Sequence, residues 1–232
     1  MTLLLLTCEH GGHDVPSAYR HLFLGRKELL RSHRGWDPGA LGLYRALRHH
    51  AAGAFHSTTT RLLVELNRSP HHPRLFSDMT RSLPPSIRAS ILRDHYDPYR
   101  RQVAEFIDGH IRHGERVLHI SVHSFTPVLH GVARVMDIGL LYDPSRRTEA
   151  RFGQHWAEAI RDQCPGLRVR MNAPYRGISD GLTTALRRKY RHRYVGMELE
   201  VNQEHTVQGG ARMSAAITEC LDRSLQEVLA SF

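Results

Sequence analysis

The stretch Thr2-Leu3-Leu4-Leu5-Leu6-Thr7-Cys8-Glu9-His10-Gly11-Gly12-His13-Asp14 decides how the rest of the chain is read. A short, continuous apolar run that ends in polar residues and glycines is the pattern of a central strand, covered on both faces, opening into a loop at its carboxyl end. The run is too short to span a bilayer and no basic segment precedes it, so neither a signal peptide nor a membrane span is expected. In open α/β sheets ligands gather outside the carboxyl ends of the strands. Glu9, His10 and their neighbours are therefore the first places to look for chemistry.

The same grammar repeats downstream. Residues 16–22 read as a first helix. Residues 38–52 carry Leu41, Tyr44 and Leu47 at helical spacing, with Pro38 suited to a first turn. Residues 58–65, rich in Thr, Leu and Val, read as a strand. Residues 70–85 hold Pro, His, Ser and Arg and read as a long functional loop. Residues 96–113 are helical, with Tyr99, Val103, Phe106 and Ile107 on one face, and residues 116–122 form a strand that delivers His123. A strand over 137–142, a helix over 148–163, a strand over 167–171 and a helix over 181–190 follow. The strand 194–201 sets Met197, Leu199 and Val201 on one face and Glu198, Glu200 and Asn202 on the other, and a helix over 213–230 closes the chain. Strands alternating with helices over 232 residues, without repeat or linker, predict one α/β domain spanning 1–232 with a mixed, mostly parallel sheet.

Composition narrows the function classes. Hydrophobic residues at 41% and charged residues at 24% are ordinary for a folded soluble domain. The formal charge of +9 favours an anionic partner: nucleic acid, a membrane surface or a small acidic substrate. The basic residues are scattered, however, and the run Arg187-Arg188-Lys189-Tyr190-Arg191-His192-Arg193 reads as a solvated helix end. Aromatics are few, and no helix-turn-helix, RNP or zinc-finger pattern is present, so no nucleic-acid partner is expected. Cys8, Cys164 and Cys220 are odd in number and widely separated, which argues against a disulfide framework and fits a reducing cytoplasm. Cys8 reads as a small buried wall residue, with a nucleophilic role as the alternative.

Among 18 histidines, His10 and His123 stand out because each directly follows an apolar strand. Two imidazoles and a carboxylate suit a divalent metal such as zinc with one position left open. Asp37, in the turn Gly35-Trp36-Asp37-Pro38-Gly39, is the first choice for the third ligand, ahead of Glu9 and Asp14. It is equally well placed to cap the following helix. Glu198 and Glu200 share one face of an otherwise apolar strand and are candidates for the general base. Arg68, following Asn67, offers a planar fork for a substrate carboxylate. Asn172 and Arg176, in a loop punctuated by Pro and Gly, are further candidates for binding it.

Taken together, Cys8-Glu9-His10-Gly11-Gly12, His33-Arg34-Gly35-Trp36-Asp37-Pro38-Gly39, Leu66-Asn67-Arg68-Ser69, Ser121-Val122-His123-Ser124-Phe125, Asn172-Ala173-Pro174-Tyr175-Arg176-Gly177 and Glu198-Leu199-Glu200-Val201-Asn202 resemble the N-formylglutamate amidohydrolase family, in order and over most of the chain. The resemblance implies a three-layer fold similar to zinc carboxypeptidases and aspartoacylases, a mixed sheet flanked by helices. It implies hydrolysis of an amide next to a carboxylate-bearing amino acid. His10 and His123 match the family's metal-binding histidines, Glu200 the late-strand carboxylate, and Asn67-Arg68 the pair that grips a substrate carboxylate. The related peptidases place a glutamate three residues after the first histidine; here that position is His13, which is why Asp37 is offered as a ligand. The expected activity is metal-dependent amide hydrolysis of a small acidic N-acyl amino acid, with zinc or another divalent ion as cofactor. An N-acyl amino-acid deacylase or a small-peptide carboxypeptidase is the alternative.

Overall fold

A parallel strand covered on both faces has no solvent side to make polar, and the apolar runs of this chain become such strands. The computed structural model describes residues 2–232. Its strands are β1 (Thr2–Cys8), β2 (Gly53–His56), β3 (Arg116–Phe125), β4 (Val128–Leu129), β5 (Val132–Ala133), β6 (Ile138–Leu141), β7 (Val169–Met171), β8 (Tyr194–Asn202), β9 (Thr206–Val207) and β10 (Arg212–Met213). Its α-helices are α1 (Lys27–Arg31), α2 (Ala40–Leu47), α3 (Pro85–Ile91), α4 (Asp97–Arg112), α5 (Arg147–Gln163), α6 (Leu182–Tyr190) and α7 (Ala215–Ala230). Six strands make one sheet in the order β2-β1-β3-β8-β6-β7, and the pairs β4–β5 and β9–β10 are small hairpins. Every pairing in the large sheet is parallel except β6 with β8.

The sheet carries helices on both faces, which is the three-layer α/β arrangement. On one face Leu43 and Leu47 of α2, Phe152, Trp156 and Ile160 of α5, and Leu221 and Leu225 of α7 pack on Leu4, Leu6, Ile120 and Leu199. On the other, Ile91 of α3, Val103 and Ile107 of α4, and Leu182 and Leu186 of α6 pack with Leu5, Val117 and Tyr194. Each buried Leu or Ile of this kind stabilises by about 1.5–3 kcal/mol relative to exposure. No helix among the described residues is long and apolar enough to cross a membrane.

Three readings of the sequence are corrected. Residues 58–65 are not a strand. Thr60 bonds through its hydroxyl to the Gly35 carbonyl and accepts the Leu62 N–H, so this segment folds into turns that bury Leu62, Leu63 and Val64. The second strand lies earlier, at Gly53–His56, paired with Leu5–Cys8. A Cβ at Gly53 would lie 2.3 Å from the Phe106 ring, so glycine is what lets this edge strand lie under α4. Finally, Cys164 and Cys220 form a disulfide, Cα to Cα 6.3 Å, joining the end of α5 to α7. This removes the cysteine argument for a reducing compartment. Cys8 is free and buried, as a wall residue would be.

His119 of β3 lies in the core between Thr7 Oγ1 at 2.7 Å and the Tyr194 hydroxyl at 2.6 Å. Burial, aided by nearby cations, depresses its pKa to about 4. An imidazole that stays neutral when folded takes up a proton on unfolding below its ordinary value of about 6.5. Its contribution is therefore complete above pH 6.5 and is lost as pH falls toward 4, a change of about 3 kcal/mol. Urea midpoints measured between pH 4 and 7 should show this slope, and His119→Gln should flatten it by about one proton.

Candidate active site

Backbone pairing assembles the centre. Thr7 of β1 lies opposite Ser121 of β3, so the chain leaves β1 at His10 beside His123. The Asp37 N–H donates to the His10 carbonyl at 2.9 Å, which ties the turn before α2 to the end of β1. Gly39, at φ 82, takes the left-handed backbone that starts α2, and no side chain caps that helix. The Asp37 carboxylate is turned inward instead.

Asp37 Oδ2 lies 3.2 Å from His10 Nδ1 and 2.8 Å from His123 Nδ1. Each ring is backed by a further carboxylate. His10 Nε2 contacts Glu65 Oε1, while His123 Nε2 lies 3.1 Å from Glu9 Oε2 and 2.8 Å from Ser121 Oγ. Arg61 closes the network from the side, with Nη1 3.1 Å from Asp37 Oδ1 and Nε 2.8 Å from Glu65 Oε2. The Tyr99 hydroxyl donates to Glu9 at 2.8 Å. All three carboxylates and both imidazoles are buried.

Burial works against each of these charges, and their mutual contacts outweigh it. For Glu9 the winning contacts come from His123 and Ser121, for Asp37 from His10, His123 and Arg61, and for Glu65 from Arg61 and His10. All three carboxyls lie well below the usual carboxylate range. Burial and Arg61 push His10 down, but Glu65 and Asp37 raise it above its ordinary value. Burial likewise opposes a charge on His123, and Asp37 and Glu9 lift it well above normal.

The donor set fits a divalent cation. One donor atom each from His10, Asp37 and His123 lies within 4.8 Å of the others. Both rings turn Nδ1 toward Asp37 and Nε2 toward a carboxylate, so that Nε2–H donates outward and Nδ1 keeps a lone pair for a metal. A carboxylate only accepts, so the protein groups alone satisfy this network only with both rings doubly protonated. A divalent ion satisfies the same three carboxylates with both rings neutral, at no change in total charge.

The centre opens onto a cleft of about 660 Å³. Glu200 lies opposite His123 in the β3–β8 register and is buried, and its Oε2 has no hydrogen-bond partner. Burial raises its carboxyl to about 8. Glu198 lines the same wall, with Oε1 accepting from Thr183 at 2.7 Å. Asn67 reaches the centre at 3.4 Å from His123 Nε2 and accepts the Leu182 N–H at 2.7 Å. Arg68 lines the cleft and donates to the Asp180 carbonyl, and Arg176 stands exposed on the rim. Asn172 is not brought into the cleft. Its Oδ1 accepts the N–H groups of Tyr142 and Gly177, each at 3.0 Å, and so shapes the loop that carries Arg176.

Arg61, Tyr99 and Ser121 were not singled out from the sequence as parts of this network, and Glu65 had no assigned role there. The four-residue spacing of Arg61 and Glu65 was the available signal. It was masked because this segment read as a strand, in which such a pair does not meet in the way it does across a turn.

The fold is of the three-layer α/β kind, a mostly parallel sheet flanked by helices. The family described as FGase, N-formylglutamate amidohydrolase, matches residues 2–206, and the chain belongs to that family. Its chemistry is amide hydrolysis. Gene product Atu2144 from Agrobacterium tumefaciens is similar in structure, with a TM-score of 0.78 at 28% identity over 98% of this chain and 90% of that one. N-formylglutamate amidohydrolase from Ralstonia eutropha JMP134 shares the fold, with a TM-score of 0.69 at 17% identity over 100% of this chain and 96% of that one. No curated protein matches.

Arg61→Ala would leave Asp37 and Glu65 buried without their shared cation. The expected loss is about 2 kcal/mol of stability at neutral pH, the worth of a hydrogen bond between charged groups. Equilibrium denaturation of the variant beside the parent measures it, and an unchanged midpoint would show that Arg61 does not hold the network.

Proposed function

We propose that this protein is a metal-dependent hydrolase of the linear amide bond in an N-acyl acidic amino acid such as N-formylglutamate, with zinc as the expected ion. The observation that carries this reading is the convergence of two imidazole Nδ1 atoms on one buried carboxylate oxygen, each ring backed by a second carboxylate. His10, Asp37 and His123 would hold the ion. When bound, such an ion supplies Lewis acidity to a carbonyl and to a water.

The protein groups divide the remaining work. Glu200 takes the proton of the attacking water at its unpartnered Oε2 and returns it to the leaving amine. Burial raises this carboxyl above the usual carboxylate range, which makes its ionised form a stronger proton acceptor. Glu198 is the weaker candidate because Thr183 already engages it. Arg68 binds the substrate carboxylate, and Arg176 on the rim offers a second contact. Arg61 also lines the cleft, but it is committed to Asp37 and Glu65.

His123→Ala is expected to empty the centre formed with His10 and Asp37 and to abolish hydrolysis of N-formylglutamate. Full metal content in the purified variant would remove His123 from the ligand set. Glu200→Gln should keep the metal and lower kcat by about 10²- to 10⁴-fold, the usual worth of a general base. Arg68→Ala should act mainly on KM, raising it by roughly 10- to 100-fold for the loss of a charge-assisted contact. Equal effects on N-formylglutamate and on analogues with its carboxylates converted to amides would count against Arg68 as the carboxylate clamp. Comparing formyl, acetyl and peptidyl derivatives of glutamate identifies the acyl group.

A further inference from the structure

Away from the cleft, the short 3₁₀ turn Arg48–His50 after α2 faces α7. There His49 Nε2 lies 3.3 Å and His50 Nε2 lies 2.9 Å from the same oxygen, Asp222 Oδ1. The two rings lie tilted by 40° to one another with centroids 3.9 Å apart. One donor atom from each of the three residues lies within 4.8 Å of the others.

The tautomer of His49 gives this cluster its meaning. His49 Nδ1 lies 2.9 Å from the Ala46 carbonyl, which can only accept, so Nδ1 carries the proton. In the neutral ring, Nε2 then points a lone pair at a carboxylate oxygen. Two acceptors face each other, and only an added proton or a cation between them makes the contact favourable. An imidazole whose far nitrogen donates to a backbone carbonyl is also the usual arrangement of a metal-ligating histidine. Imidazole and carboxylate donors suit the borderline divalent ions rather than calcium or magnesium.

We propose that His49, His50 and Asp222 form a second site that binds a divalent transition ion of the zinc, nickel or copper class. The site clips the end of α2 to α7. Its His49 edge is open to solvent, with that side chain 61% exposed, so the ion exchanges freely with the medium and keeps coordination positions for water. The cluster shares no residue with the catalytic centre, although α2 begins just after Asp37 and ends at this site.

Equilibrium dialysis of the chelator-stripped full chain against Zn²⁺ tests the proposal. Two ions per chain are expected in the parent and one in each of His49→Ala and Asp222→Asn, with hydrolysis of N-formylglutamate unchanged within about twofold. His123→Ala should keep one ion, and adding Asp222→Asn should remove it. In the His123→Ala background Zn²⁺ should raise Tm by about 5 °C, a shift that His49→Ala should abolish. The proposal is overturned if His49→Ala and Asp222→Asn both retain the parent stoichiometry, or if His123→Ala binds no ion. If the catalytic reading failed instead, the parent would hold a single ion that His123→Ala keeps and His49→Ala loses.

Discussion

Three carboxylates buried within one site are the constraint on which the rest of this structure depends. An isolated buried carboxylate costs several kcal/mol of lost hydration. Glu9, Asp37 and Glu65 persist because His10, His123, Arg61, Ser121 and Tyr99 are fixed where they can answer that cost. The partners come from four separate parts of the chain, and the parallel pairing of β1 with β3 and the His10–Asp37 backbone bond help set their positions. The sheet serves the site by holding these charges in register.

This explains why some of the protein could be read from its sequence. β1, β3 and β8 are buried on both faces, so the polar residues set within them or at their ends needed partners or a role. His10, His123 and the Glu198–Glu200 pair were visible for that reason. Asp37 was visible as a turn residue. Its choice between capping a helix and facing inward was not, because that depends on where His10 and His123 stand in space.

What was hidden has equally physical causes. Arg61 is one of many arginines, and nothing local separates a cation that bridges two carboxylates from one on the surface. Residues 58–65 carry strand-like composition, yet the Thr60 side chain offers the backbone a turn instead. Gly53–His56 is short and at the edge, so it leaves little periodicity to find. Cys164 and Cys220 stand 56 residues apart, a separation with no spacing signature, and only the packing of α5 against α7 brings them together.

Asn172 gives the cleft a division of labour. By accepting two backbone N–H groups it fixes the course of a loop whose most exposed residues, Tyr175, Arg176 and Ile178, bear little of the core's packing. The charge network beneath cannot lose a member without stranding another. The rim can change its side chains while the loop keeps its path. Descendants of such a chain can therefore inherit the hydrolytic centre intact and wander among substrates by exchanging a few residues at its mouth.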